Sequence, residues 1–93
     1  MSNKADFYEK LKIQLADTTD FPADYLYKFI VPTTENQVAE VERIFSNLGA
    51  VITTKKSKTG KYVSVSILIK LKNASEVINY YKKAGVIKGI ISL

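Results

Sequence analysis

The chain of 93 residues contains no cysteine and no histidine. Without cysteine there is no disulfide, no thiolate metal site, no paired-cysteine redox motif and no thiol nucleophile. Without histidine the commonest general base and the commonest metal ligand are missing too. No apolar run approaches the roughly 20 residues that a membrane-spanning helix needs. Met1 to Lys12 is charged and lacks the apolar segment of a signal peptide, so a cytoplasmic, non-membrane protein is expected. The glycines Gly49, Gly60, Gly85 and Gly89 are scattered, which excludes a glycine-rich phosphate loop. Arg43 is the only arginine, and it falls inside a helical pattern, so no arginine cradle of the acylphosphatase kind can form after the first strand. The carboxylates offer no catalytic pair: Glu40 and Glu42 point to different sides of a helix, and Asp17 and Asp20 lie in a polar link. The chain is therefore expected to be no enzyme and to carry no cofactor and no metal.

What is present is a core. The hydrophobic fraction of 46% is ample for one small domain. The charge is divided along the chain. Up to Glu42 there are eight acids and four lysines; from Arg43 onward there are ten basic residues and one acid, Glu76. A basic half suits nucleic acid, an anionic ligand or an acidic protein, and lysines also protect the edges of a small sheet.

From Val63 to Leu71 every second residue is aliphatic: Val63, Val65, Ile67, Ile69, Leu71. Period two over this length marks a strand with one buried face. Before it, Lys55, Lys56, Lys58 and Lys61 surround a turn at Ser57 to Gly60, so a long hairpin with a basic tip is expected. Tyr25 to Val31 alternates in the same way and ends at Pro32. Ala50 to Lys56 and Val86 to Leu93 read as the other two strands.

Three helices are expected. Phe7, Leu11 and Leu15, with Tyr8 beside them, make a short amphipathic stripe after Asn3 as N-cap, with Ile13 off the stripe. Thr34 and Gln37 have capping-box spacing before Val38, Val41, Ile44, Phe45 and Leu48, with Gly49 as the left-handed stop. Asn73 caps a third helix with Glu76 at its third position; Val77, Ile78, Tyr81 and Ala84 face inward, and Gly85 repeats the glycine stop.

The order is helix, then β-α-β twice. Right-handed crossovers give an α+β, ferredoxin-like βαββαβ sandwich: a four-stranded antiparallel sheet, two helices on one face and an extra N-terminal helix. Residues 1–19 form that helix and its linker, and residues 20–93 a single domain. Tyr25, Tyr27, Phe29, Val31, Val63, Val65, Ile67 and Ile69 point into the core. Leu26, Ile30, Leu68 and Ile90 remain on the other face, which is too apolar to be merely solvated. Either the N-terminal helix or a second copy of the chain would cover it.

Phe21-Pro22 followed by Tyr27-Lys28, the segment Ser57-Lys58-Thr59-Gly60-Lys61-Tyr62-Val63-Ser64-Val65-Ser66-Ile67, and the closing stretch to Leu93 together resemble the small bacterial YbeD-like proteins, a family of unknown function. The resemblance spans Asp20 to Leu93. It implies a fold similar to the ACT regulatory domains of metabolic enzymes and supplies no catalytic or ligand residues to transfer. ACT domains favour a glycine near the first strand-helix loop, where this chain has Pro32-Thr33-Thr34-Glu35. That departure counts against amino-acid binding and leaves paired-domain docking open.

Two surfaces stand out. Lys55, Lys56, Lys58, Lys61 and Tyr62 suit an anionic partner. Leu26, Lys28, Ile30, Ser64, Ser66 and Leu68 suit a protein contact, with another protein or with a second copy. RNA is the rival partner and is not favoured. An RNA-recognition sheet stacks bases on aromatic rings of its central strands, and here Ser64 and Ser66 stand where rings would be needed. The reading is a small regulatory or protein-interaction module.

Overall fold

The computed structural model describes residues 4–93. The elements run α1 (Lys4–Thr18), β1 (Ala23–Pro32), α2 (Gln37–Ile44), β2 (Val51–Lys56), β3 (Tyr62–Leu71), α3 (Ala74–Ala84) and β4 (Ile91–Ser92). The strands form one sheet in the order β2-β3-β1-β4, with every neighbouring pair antiparallel. This is the ferredoxin-like arrangement expected from the sequence, with α1 added before it.

The two long strands show why the alternation has to resolve this way. β1 and β3 pair along their whole lengths, Ala23 opposite Leu71 through Pro32 opposite Tyr62. This register puts Tyr27, Phe29 and Val31 beside Ile67, Val65 and Val63, all of them buried. A slip of one residue would turn that whole set to water. Val41 of α2, Phe45 just after its end, and Val77 and Ala84 of α3 close the core from above. Tyr27 sits at its centre, with ring centroids 4.8 Å from Tyr25, 4.9 Å from Tyr81 and 5.3 Å from Phe45. Its hydroxyl donates to the Val77 carbonyl at 2.9 Å, which satisfies the one polar atom that the ring carries inward.

α3 begins as expected. The Asn73 Oδ1 accepts from the Glu76 backbone N–H at 2.9 Å, and the Glu76 carboxylate accepts from the Lys72 N–H at 2.6 Å. Other local expectations are corrected. Thr34 and Gln37 do touch, but through side chains. The Gln37 amide donates to the Thr34 Oγ1 at 3.0 Å, and its carbonyl oxygen accepts from the Glu35 N–H at 2.8 Å. The buried Gln37 thus braces the loop, and α2 starts at Gln37 itself. α2 also stops earlier than expected, at Ile44. The chain then turns through Asn47 and Gly49, both at positive φ, which leaves Leu48 exposed rather than in the core. Gly85 is right-handed, at φ −63, so it is no left-handed stop. Its lack of a side chain lets it lie close under the Tyr81 carbonyl, 3.2 Å from where a Cβ would stand.

The last strand is the largest correction. Val86 to Ile90 is a turn, and only Ile91–Ser92 pairs with β1, continued by a bond from the Leu93 N–H to the Lys28 carbonyl at 2.9 Å. Gly89 lies in that turn at φ +75, and an added Cβ would lie 2.7 Å from the Pro32 Cγ. Both the left-handed backbone and the close approach to Pro32 suit glycine and oppose a side chain. Ile90 is consequently packed against the core rather than standing on the open face.

α1 packs chiefly on α3, on the helical side of the sheet. Tyr8 stacks over Tyr81 with centroids 6.4 Å apart, and Leu15 reaches the core margin, while Phe7 and Ile13 are exposed. The expected Asn3 cap lies outside the described residues.

Candidate functional site

Because α1 sides with the other helices, no described element packs on the opposite face of the sheet. The register lays that face out in rows across three strands. Leu26 lies beside Leu68, and Leu68 beside Val51; Lys28 beside Ser66, and Ser66 beside Thr53; Ile30 beside Ser64, and Ser64 beside Lys55. The first row is a stripe of three exposed aliphatics: Leu26 at 48% exposure, Leu68 at 43% and Val51 at 62%. Ile91 extends the Ile30 row from the other edge. A contiguous group of exposed aliphatics on one sheet face is the pattern of a contact surface.

All six residues expected to form the sheet-face contact (Leu26, Lys28, Ile30, Ser64, Ser66 and Leu68) therefore stand on one surface. β2 adds Val51, Thr53 and Lys55 to it. Val51 and Thr53 were missed because a six-residue strand with five exposed positions gives little periodic signal; their alternation with the half-buried Ile52 was the only clue.

The hairpin tip is held in a defined shape. The Ser57 N–H donates to the Tyr62 carbonyl at 2.8 Å, the Gly60 N–H to the Ser57 carbonyl at 3.0 Å, and the Tyr62 N–H to the Ser57 Oγ at 3.2 Å. Gly60 takes φ +74, where only its conformational freedom matters, since a Cβ would meet nothing closer than 3.9 Å. The loop after β1 ties the tip down: the Thr33 N–H donates to the Lys61 carbonyl at 3.0 Å and the Thr33 Oγ1 to the Gly60 carbonyl at 2.8 Å.

Of the five residues expected at the basic surface, Lys55, Lys56 and Tyr62 share a shallow hollow of about 240 Å³ with Ser57, Ile30 and Ser64. Lys58 and Lys61 are exposed at the tip outside that hollow. The hollow joins the two surfaces: Ile30 and Ser64 belong to the sheet face, the lysines and Tyr62 to the hairpin. The face is positive overall, carrying Lys28, Lys55 and Lys70, with Asp24 opposite Lys70. None of these lysines forms an ion pair among the described residues, where Lys88–Glu35 at 3.3 Å is the single salt bridge.

Among the described residues no three His, Cys, Asp or Glu side chains group closely enough to hold a metal ion, and no helix is long and apolar enough to cross a membrane. Two tyrosine hydroxyls are strongly perturbed, both on the core side. Burial is the main cause of the raised pKa at each; the neighbouring Tyr81 adds to it at Tyr27, and the hydrogen bond with Tyr25 adds to it at Tyr81. Both are neutral O–H groups at physiological pH. The Tyr25 and Tyr81 hydroxyls lie 2.7 Å apart.

A second concavity was not legible in the sequence. A cavity of about 340 Å³ lies between α1, α3 and the inner side of β1 and β4. Its lining includes Tyr8, Tyr25, Phe29 and Tyr81, whose aromatic character signalled only core.

Residues 16–91 match the model of a family described as "Protein of unknown function (DUF493)", and the chain belongs to that family, the one to which the hairpin segment pointed. No curated protein matches the chain. Among solved structures it is similar to the ACT domain from GTP pyrophosphokinase of Chlorobium tepidum, with a TM-score of 0.55 and 14% identity. The match covers 76% of this chain and 100% of that domain. A likeness at this identity shows a shared fold, which is ACT-like.

Proposed function

We propose that this member of the DUF493 family is a non-catalytic interaction module whose open sheet face docks an acidic protein partner. One observation carries the reading: the aliphatic stripe Leu26, Leu68 and Val51 continues across the same face into the lysine-lined hollow at Lys55, Lys56 and Tyr62. Burying the stripe supplies apolar contact, at roughly 25 cal/mol per Å² removed from water. The lysines select for carboxylates at its border and steer their approach. A second copy docked face to face would bring two faces carrying Lys28, Lys55 and Lys70 together, and that repulsion favours a different chain. ACT-type domains of metabolic enzymes serve as regulatory modules, and a docking role is of the same kind.

The test is site-specific photo-cross-linking in the native cell. A cross-linking side chain at position 68 or 55 should capture one discrete protein with an acidic contact segment. The same group at Val86, exposed on the turn after α3, should not capture it. Equal capture from position 86, or an adduct of two copies of this chain from position 68, would contradict the reading.

RNA is the second reading, supported by the hairpin lysines, which form no ion pair among the described residues. It requires binding that weakens steeply with salt and is lost when Lys55, Lys56, Lys58 and Lys61 are replaced together.

A further inference from the structure

The cavity beneath α1 lies on the opposite side of the sheet from the docking face and is independent of it. Its volume of about 340 Å³ falls in the range of small-molecule sites, roughly 300 to 1,000 Å³. Rings dominate the wall: Phe7, Tyr8, Tyr25, Phe29 and Tyr81, with Ile90 closing one side. Among the described residues no lysine, arginine, aspartate or glutamate side chain lines it, so a charged ligand would find no partner among them and would enter at the cost of its hydration.

The polar content of the wall is hydroxyl. Tyr25 and Tyr81 share one hydrogen bond at 2.7 Å. Two O–H groups bring two protons, and the shared bond uses one. The accepting hydroxyl keeps its own proton, and neither hydroxyl forms a further hydrogen bond among the described residues. Ser92, placed on the inner side opposite Phe29, adds another hydroxyl to the lining. Gly85 is part of the lining, near the Tyr8 hydroxyl. The α1 wall is lightly held: Tyr8 and Leu11 are half-buried and Phe7 is exposed, so a ligand can enter by displacing few contacts.

We propose that this cavity is a binding site for a small, neutral, aromatic molecule carrying one hydrogen-bond acceptor. The rings take its apolar body, and the Tyr25–Tyr81 pair supplies the donor for its acceptor. Filling the cavity ties α1 to α3 and β4, so occupancy orders the N-terminal helix.

The experiment is an NMR titration of the full chain with benzamide, and separately with benzoate, which has the same ring and a negative charge. Benzamide should give saturable shifts concentrated at Tyr8, Tyr25, Tyr81 and Ile90, and benzoate should bind at least about tenfold more weakly. Tyr25→Phe and Tyr81→Phe made together keep both rings, remove both hydroxyls of the pair and should weaken benzamide by about threefold to tenfold. Leu11→Trp fills the space and should abolish binding while the chain stays folded. The proposal is overturned by shifts that do not saturate, by shifts that map to the open sheet face, or by equal affinity for benzoate. Full affinity in a folded Leu11→Trp chain would overturn it too. If Leu11→Trp does not fold, the double variant Tyr25→Phe with Tyr81→Phe decides, and unchanged affinity in it overturns the proposal.

Discussion

β3 is one strand with two lives. Val63, Val65, Ile67, Ile69 and Leu71 are all buried, whereas Tyr62, Ser64, Ser66, Leu68 and Lys70 on the same ten residues meet solvent. Ile67 and Leu68 are chain neighbours of nearly equal volume and hydrophobicity. One is fully buried beside Tyr27; the other stands 43% exposed beside Leu26 and Val51. What separates them is only which side of the pleat carries helices. An aliphatic residue on the helical side holds the fold together. One on the bare side contributes little to folding and remains available for a contact with another molecule.

Truncating each neighbour in turn separates the two roles. Ile67→Ala should cost about 3 kcal/mol in a denaturant titration, because a packed core side chain leaves a cavity. Leu68→Ala should stay within about 0.5 kcal/mol of the parent. Equal losses would mean that the open face is covered in solution.

Gly89→Ala should rank next, at about 2 kcal/mol, since the left-handed backbone and the contact with Pro32 both oppose a side chain. Its effect should appear as lost hydrogen-exchange protection at β4 and not at β2. A smaller effect is expected for Tyr27→Phe, about 1 kcal/mol by thermal unfolding, from the loss of the bond to the Val77 carbonyl. The burial of Tyr27 and Tyr81 also has a pH signature. Their folded pKa values lie above the ordinary value near 10. The stability linked to their neutral forms is therefore fully present below about pH 10 and falls as pH rises beyond it. Ultraviolet titration should show these two rings ionising only as the chain unfolds. Smallest of all, replacing Lys55 and Lys56 with Gln should leave the melting temperature nearly unchanged, because neither forms an ion pair among the described residues.

Much of the sheet was legible because β1 and β3 are long and alternate cleanly, and because Asn73 and Glu76 cap α3 as their spacing suggests. The remainder depended on contacts between distant residues. Nothing in Val86 to Leu93 reveals that Gly89 must pass under Pro32, and without that contact the segment reads as a full strand. The side on which α1 lies is set by Tyr8 against Tyr81, and the helix itself is only weakly amphipathic. The Thr34–Gln37 spacing was right, yet the bonds ran through side chains, because a buried amide satisfies a loop as readily as it caps a helix. The sheet-face residues were found as a set by their parity with the core. The cavity under α1 was hidden, since its tyrosines belong to strands and helices that also build the core.

The sharpest measurement is recovery of the cross-linked partner from the native cell by Leu68→Asp, with the variant's unfolding midpoint recorded alongside. A docking face requires that the partner be lost while the midpoint stays with the parent, since Leu68 touches water and not the core. A folded Leu68→Asp chain that retains the same partner at the parent level would contradict the assignment of the open face.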